Sequence, residues 1–469
     1  MGSASNSLDE FSREDLIALI RQQAEHIRQQ AERIEELRKQ IEELRRKGHR
    51  QAAPFSREQR KANPKKPGRR KGQGRFENRA APMEKPTDIR VVASPQEACP
   101  NCGGGLEIER VEEATVVDVP SVPAPVVVRY AVAVCRCVAC GTKVRGEAEG
   151  LAANQAGATA HRLGPRIKAL AHLLHYGLGI PVRKLPQILW ETTGVRVTSS
   201  ALTQDALRQA AADGPIGQHY QALRNAIRHC GVVHTDDTGW RIFGTNAYLM
   251  GFDAAEKAVY QIRYRHRSEE VAEIIPAGFP GVLVSDRGKS YDAGMFAEMK
   301  QQKCLAHLLR NISETLETKT GRARMFGVRL QVQLRQAMAL GRAAPSPERD
   351  RAIDQLEREL TWTLRNRVFK DDDNQRLLNG IGTQMDRGRI LTFLRTPGVD
   401  PTNNAAERML RPAVIARKVS QCSKNDSGAQ ATSAFLSVIQ TLRKKLTPNA
   451  SVSNLLLGVL AGNQQPPTR

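Results

Sequence analysis

The sequence predicts a multidomain α/β protein. An N-terminal coiled-coil helix and a four-cysteine zinc-ribbon-like module precede a mixed strand-and-helix core that a helical insertion interrupts. Three observations predict this. Isoleucines recur every seven residues near the start, two C-x-x-C-G pairs flank strand-like runs, and the apolar period changes from helical to strand-like near residue 231 and back near 312. The 469 residues carry 40% hydrophobic side chains, enough for two to four packed domains.

In residues 8–47, Ile20, Ile27, Ile34 and Ile41 form one seam. Leu16, Leu37 and Leu44 fall on the other, with Gln23 and Gln30 between them. β-Branched residues on one seam and Leu on the other favour two strands, so self-association is expected over a lone amphipathic helix docked on its own protein. The stretch 45–80 holds 14 Lys or Arg against 2 Glu, interrupted by Pro and Gly. It reads as a flexible arm that lies along DNA phosphates or enters a minor groove with Arg69, Arg70 and Lys71; a merely soluble linker is the alternative.

Cys99 with Cys102 and Cys137 with Cys140 make the two pairs, each followed by a glycine that turns the chain tightly. Four thiolates suit a closed, structural Zn²⁺ site, with Cys135 as a substitute ligand. Cys230, Cys304 and Cys422 lack partner spacing and are assigned to the core. Residues 151–230 are helical. A turn at Gly194 precedes a helix capped near Ser199 or Ser200, which reads equally as a helix-turn-helix for DNA or as a plain helical hairpin.

From residue 231 the apolar run in "CGVVHTDDTGW" ends in Asp236 and Asp237, and the run in "GVLVSDRGKSYD" ends in Asp286. "NAYLMGFD" and "AVYQIRYR" read as strands with "GTN" as a hairpin turn, and "SEEVAEII" as a helix before the strand that carries Asp286. Two strands ending in Asp side by side would bring carboxylates to one sheet edge. Asp253 and Asp292 are taken as turn formers. In "DPTNNAAERMLRP", Glu407 reads either as a helix cap with Asn404 or as a third carboxylate of a hard-oxygen site for Mg²⁺. Pro412 is expected to break or kink this helix. Residues 312–395 show helical spacing, with Ile353, Leu356, Leu360 and Leu364 on one face.

The net charge of +22 points to a polyanionic partner, nucleic acid above all. A membrane surface would need an amphipathic basic helix with apolar anchors, and none is found. No run of 18 apolar residues and no secretion-signal pattern occur, so a cytoplasmic, nucleoid-associated protein is expected.

These motifs together resemble the transposases of the IS-sixty-six family of bacterial insertion sequences. The resemblance spans nearly the whole chain. It rests above all on the four-Cys module, on "HTDDTGW", "VSDRGKSYDA" and "KCLAHLLRNI", and on the Asn-Asn-x-x-Glu-Arg-x-x-Arg-Pro motif. It implies an RNase H-like catalytic core whose Asp-Asp-Glu triad is Asp236, Asp286 and Glu407. In the family's first motif Asp is followed by Glu; Asp237 stands there in this chain and is the alternative to Asp236. The implied cofactors are two Mg²⁺ (or Mn²⁺) ions beside the structural Zn²⁺. Arg408 and Arg411 are expected to hold phosphates, Asn403 and Asn404 to shape the turn and touch DNA, and His307 and Arg310 to sit near the site. The implied activity is cleavage of the element's ends and strand transfer into target DNA. A homodimer or higher assembly would carry it out, with the element's accessory proteins as further partners. A non-catalytic DNA-binding regulator and a structure-specific nuclease are the rival readings.

The expected organisation is therefore 1–47 coiled coil, 48–90 basic arm, 91–150 zinc module and 151–230 helical DNA-binding or dimerisation domain. The first part of the core follows at 231–311, then the insertion at 312–395 and the rest of the core with the Glu407 helix at 396–469.

Overall fold

The computed structural model describes residues 13–49, 98–107, 125–148, 151, 155, 163–365, 367–420, 422–448 and 450–461. Arg69, Arg70 and Lys71 lie outside the described residues. Two units, residues 1–118 and 119–469, are taken separately.

In the first unit, α1 (Arg13–His49) is a 37-residue helix. Ile27 and Ile34 are more than half exposed; the side chains of Leu16, Ile20, Ile41 and Leu44 are outside the described set. Around Cys99, the Gly103 N–H returns to the Cys99 carbonyl and the Cys99 N–H meets the Gly104 carbonyl.

The second unit opens with the hairpin β1 (Val134–Arg136) and β2 (Lys143–Arg145), which pairs Cys135 with Val144. Helices α2 (Pro165–His172), α3 (Leu185–Thr193), α4 (Ser199–Ala210) and α5 (Pro215–Ile227) follow. Gly194 takes φ +66° between α3 and α4, and Thr198, one residue before the expected serines, caps α4 by accepting from the Ala201 N–H.

The sheet contains β3 (Val232–Ile242), β4 (Thr245–Asp253), β5 (Ala258–Arg263), β6 (Val282–Ser285) and β7 (Gln301–Lys303), in the order β5-β4-β3-β6-β7. β3, β4 and β5 pair antiparallel, whereas β3–β6 and β6–β7 are parallel. A two-residue turn, Phe243–Gly244, with φ of 49° and 78°, joins β3 to β4. Thr245 and Asn246 of the expected "GTN" turn are already strand. The short helix α6 (Ser268–Ala272) leads towards β6.

After β7 come α7 (Leu305–Glu317), α8 (Gly321–Arg342), α9 (Pro347–Leu364), α10 (Asp372–Asp386) and α11 (Thr392–Arg395). The chain ends with α12 (Asn404–Ser420), α13 (Asp426–Lys444) and α14 (Val452–Leu460). Contrary to the expected break, α12 runs through Pro412. The cost is local: Pro has no N–H for the Arg408 carbonyl.

Alternation along the strands sorts the layers. Leu283 and Val233 join the core with α5, α13 and α14, while Val282 and Val284 face α7 to α11. Trp240 and Ile242 pack on Met409, Leu410 and Ala413 of α12. The outer edge of β5 is covered by α13: Thr441, Ser437 and Ser433 accept hydrogen bonds from the N–H groups of Ala258, Tyr260 and Ile262. Four helical residues rise about 6 Å and two strand residues about 6.6 Å, so the two ladders stay in step. Among the described residues no helix is long and apolar enough to cross a membrane.

Candidate active site

Asp236 lies within β3 rather than at its end. The parallel register pairs Val232 with Val282 and His234 with Val284. Carried two residues further, it sets Asp236 level with Asp286, the first residue past β6. Both belong to the even-numbered set whose neighbours face α7 to α12. Asp237 belongs to the opposite face, where its carboxylate sits 3.1 Å from His266 Nδ1.

The Asp286 carboxylate is set by the loop after β6. Its Oδ1 accepts from the Gly288 N–H at 2.8 Å, and a Cβ on Gly288 would stand 2.9 Å from the same oxygen. Only glycine permits that approach without a shift.

Glu407 sits in the first turn of α12, and the chain before that helix is stitched into the core. The Asn403 side chain donates to the Thr235 carbonyl at 2.7 Å, and its backbone N–H donates to Cys304 Sγ at 3.2 Å. The Leu305 N–H meets the Pro401 carbonyl. Asn403 is fully buried, which corrects its expected contact with DNA: it ties α12 to the strand residue beside Asp236. Asn404 is the first residue inside the helix, so the capping reading of Asn404 with Glu407 does not hold either. Asn404, Arg408 and Arg411 are exposed on α12.

Burial pushes the Asp236 carboxyl up to about 6, and repulsion from Asp286, Asp237 and Glu407 adds to this against a hydrogen bond from the Asp237 N–H. The three expected triad carboxylates thus lie within electrostatic reach of one another. Among the described residues, no three His, Cys, Asp or Glu side chains close tightly enough to form a metal shell as they stand.

His307 Nε2 is 3.9 Å from Glu407 Oε1, and the exposed Arg310 follows one turn later on α7. The Cys304 hydrogen bond raises His307 above its ordinary pKa, against burial and the Arg310 charge. In return, His307 holds the Cys304 thiol low even though burial alone would raise it. Cys304 is buried, as expected of a core residue, but its place beside His307 and Asn403 was missed. The Cys-x-x-His spacing of 304 and 307, one helical turn, was the available signal.

Asp292 was missed as well. Its carboxylate binds Lys303 Nζ at 3.0 Å, Arg389 at 3.1 Å and Gln384 Nε2 at 2.8 Å. Lys303 is fully buried and also reaches Ser285 Oγ at 3.2 Å, next to Asp286. The expected turn former is an ionic hub behind the site.

Each cysteine pair forms the same turn. Gly103 and Gly141 both take φ +74°, and each returns its N–H to the carbonyl of the first cysteine. Within each pair the thiols interact. Hydrogen bonds from the Asn101 and Cys102 backbone, then from the Cys102 side chain, lower Cys99. Bonds from Thr142, then from Cys137, lower Cys140 to about 7.

The sequence profile of the family described as Transposase IS66 family matches residues 161–431. No curated protein matches the chain.

Proposed function

The chain belongs to the IS66 transposase family, and from that premise we propose that it cuts the ends of its DNA element and joins them to target DNA. The observation that carries the proposal is the triad geometry. Asp236 on β3 is level with Asp286, the first residue past β6, when the parallel register is carried two residues on, and the Glu407 helix is tied by Asn403 to β3. The strand order, three antiparallel strands followed by two parallel ones, supports an RNase H-like core.

The donor set fits a divalent cation. Hard carboxylate oxygens suit Mg²⁺ or Mn²⁺, and the mutual repulsion at Asp236 is what such a charge would relieve. Asp236, Asp286 and Glu407 would hold it, Asp237 being turned to the other face against His266. When bound, two such ions supply activation of a water or a 3′-hydroxyl and stabilise the leaving oxygen. The chain's own residues do the rest. Arg408 and Arg411 anchor phosphates from the exposed side of α12. His307, raised above its ordinary pKa, offers a positive neighbour 3.9 Å from Glu407. The Asp292–Lys303–Arg389 hub fixes the loop that presents Asp286. Attack on phosphorus by the water oxygen breaks the P–O3′ bond and leaves a 3′-hydroxyl and a 5′-phosphate; that hydroxyl then attacks a target phosphorus, forming a new P–O3′ bond while the target's own P–O3′ bond breaks and its 3′-hydroxyl is released. The cysteine pairs support a structural zinc role, since each turn by itself presents two interacting thiols.

The test is cleavage of DNA that carries the gene's natural flanks, with Mg²⁺, by wild type, Asp286→Asn and Glu407→Gln. The expected outcome is 3′-hydroxyl ends from wild type and a loss of at least about 100-fold in both variants, with folding and DNA binding retained. Variants that cut like wild type would remove Glu407 and Asp286 from the mechanism, whereas a wild type that binds this DNA without cutting it would favour the regulator reading.

A further inference from the structure

We infer that the helical insertion carries its own DNA-binding face, built on an arginine–tryptophan–arginine stack at Trp362. This rests on the transposase reading but goes beyond its active site.

Trp362 lies on α9 and is 61% exposed, an unusual place for the largest apolar side chain in a helix that otherwise buries Ile353, Leu356, Leu360 and Leu364. Two guanidinium groups lie over its ring. Arg329 from α8 is 4.9 Å from the ring centroid, and Arg367, just past α9, is 4.5 Å away. Arg358 and Arg365 line the same open cleft of about 570 Å³, with Thr361 and Glu357.

The charge balance points outward. Along α9 Arg395 takes Asp354 and Glu357, Arg351 takes Glu348, and Glu359 accepts from the Gln355 side chain. Among the described residues, none of Arg329, Arg358, Arg365 and Arg367 has an ion pair. The one carboxylate in the cleft, Glu357, is engaged by Arg395 at 3.1 Å. Four cations are therefore gathered around one tryptophan, none of them in an ion pair among the described residues.

An arginine stacked on an aromatic face keeps its N–H donors available at its rim. The stack fixes the planes before any ligand arrives, which lowers the ordering cost on binding. A row of pre-set guanidiniums suits a row of phosphate groups, so the sugar-phosphate backbone of DNA is the ligand. The exposed part of the indole ring is left to pack on sugar or base.

The test uses the full chain carrying Asp286→Asn, so that DNA is bound but not consumed. Its affinity for a labelled duplex bearing the gene's flanks is measured over a range of salt concentrations. The double variant R365Q/R367Q is expected to flatten the logarithmic salt dependence by about 1 to 2 and to weaken binding roughly tenfold. Trp362→Ala keeps every cation. It is expected to weaken binding several-fold at an unchanged slope, and Trp362→Phe to restore most of the loss. If both the arginine and the alanine variants match the parent in affinity and slope, the inference is overturned. It is also overturned if they change only the oligomeric state, since the face would then meet protein. If the alanine variant binds like the parent while the arginine pair loses affinity, the stack is overturned as the organising element. A parent that fails to bind DNA at all would instead bring down the transposase reading beneath it.

Discussion

Asn403 places its side-chain N–H on the Thr235 carbonyl, one residue from Asp236, while four residues later its own helix carries Glu407. Asn403→Ala is therefore expected to cost about 1–3 kcal/mol in unfolding free energy, measured by urea titration. It should also reduce cleavage by more than the stability loss explains, because Glu407 loses its tether. A second residue-scale prediction concerns Asp236, whose folded pKa is raised to about 6. A raised carboxyl contributes stability that is fully present below its unfolded pKa near 4 and is lost as pH rises through 6. Asp236→Asn is uncharged at every pH. It should raise the stability of the metal-free protein by about 2 kcal/mol above pH 6 and by little below pH 4, read from thermal unfolding across pH. The aspartates were legible because apolar runs led into them. Which of Asp236 and Asp237 faces α12 was not, since that depends on the register with β6. The burial of Asn403 was also hidden, because exposed and buried asparagines look alike in a polar motif.

The strand β7 consists of Gln301, Gln302 and Lys303, all buried. Hydrophobic patterning cannot find such a strand. Its side chains work as hydrogen-bond partners instead: Gln302 bridges to the Ile390 carbonyl and the Phe393 N–H, and Gln301 to the Tyr291 carbonyl. By contrast, α9 and the strand–strand–strand–helix–strand order before residue 286 were visible in spacing alone. At the same scale, α2 and α4 are joined by Asp205, which is buried against His172 at 2.9 Å and Lys168 at 3.0 Å. Burial would raise its carboxyl, but the His172 hydrogen bond and the Lys168 charge outweigh it and hold it at about 2. A lowered carboxyl contributes stability that is present above pH 4 and lost as pH falls through 2. Asp205→Asn is thus expected to destabilise the protein by about 2 kcal/mol at neutral pH, with the gap closing towards pH 2 in denaturation curves.

For the whole molecule, the charge excess and the heptad pattern were legible from composition and period, while the pairing of helices that carries α12 and α13 onto the sheet was not. Those contacts join residues more than 140 positions apart, as between Tyr260 and Met409. Exposed Ile27 and Ile34 on α1 favour self-association. Light scattering of the full chain is expected to give a dimer or larger, and a chain lacking residues 1–47 a smaller species. The hydroxyl ladder of α13 has a bearing on how such copies can meet. Because Ser433, Ser437 and Thr441 already accept the outward N–H groups of β5, a strand from a neighbouring molecule finds no free donors along that border. Neighbouring copies can therefore touch along this border without zipping their sheets together into fibres. Three small side chains on a helix guard this edge of the sheet.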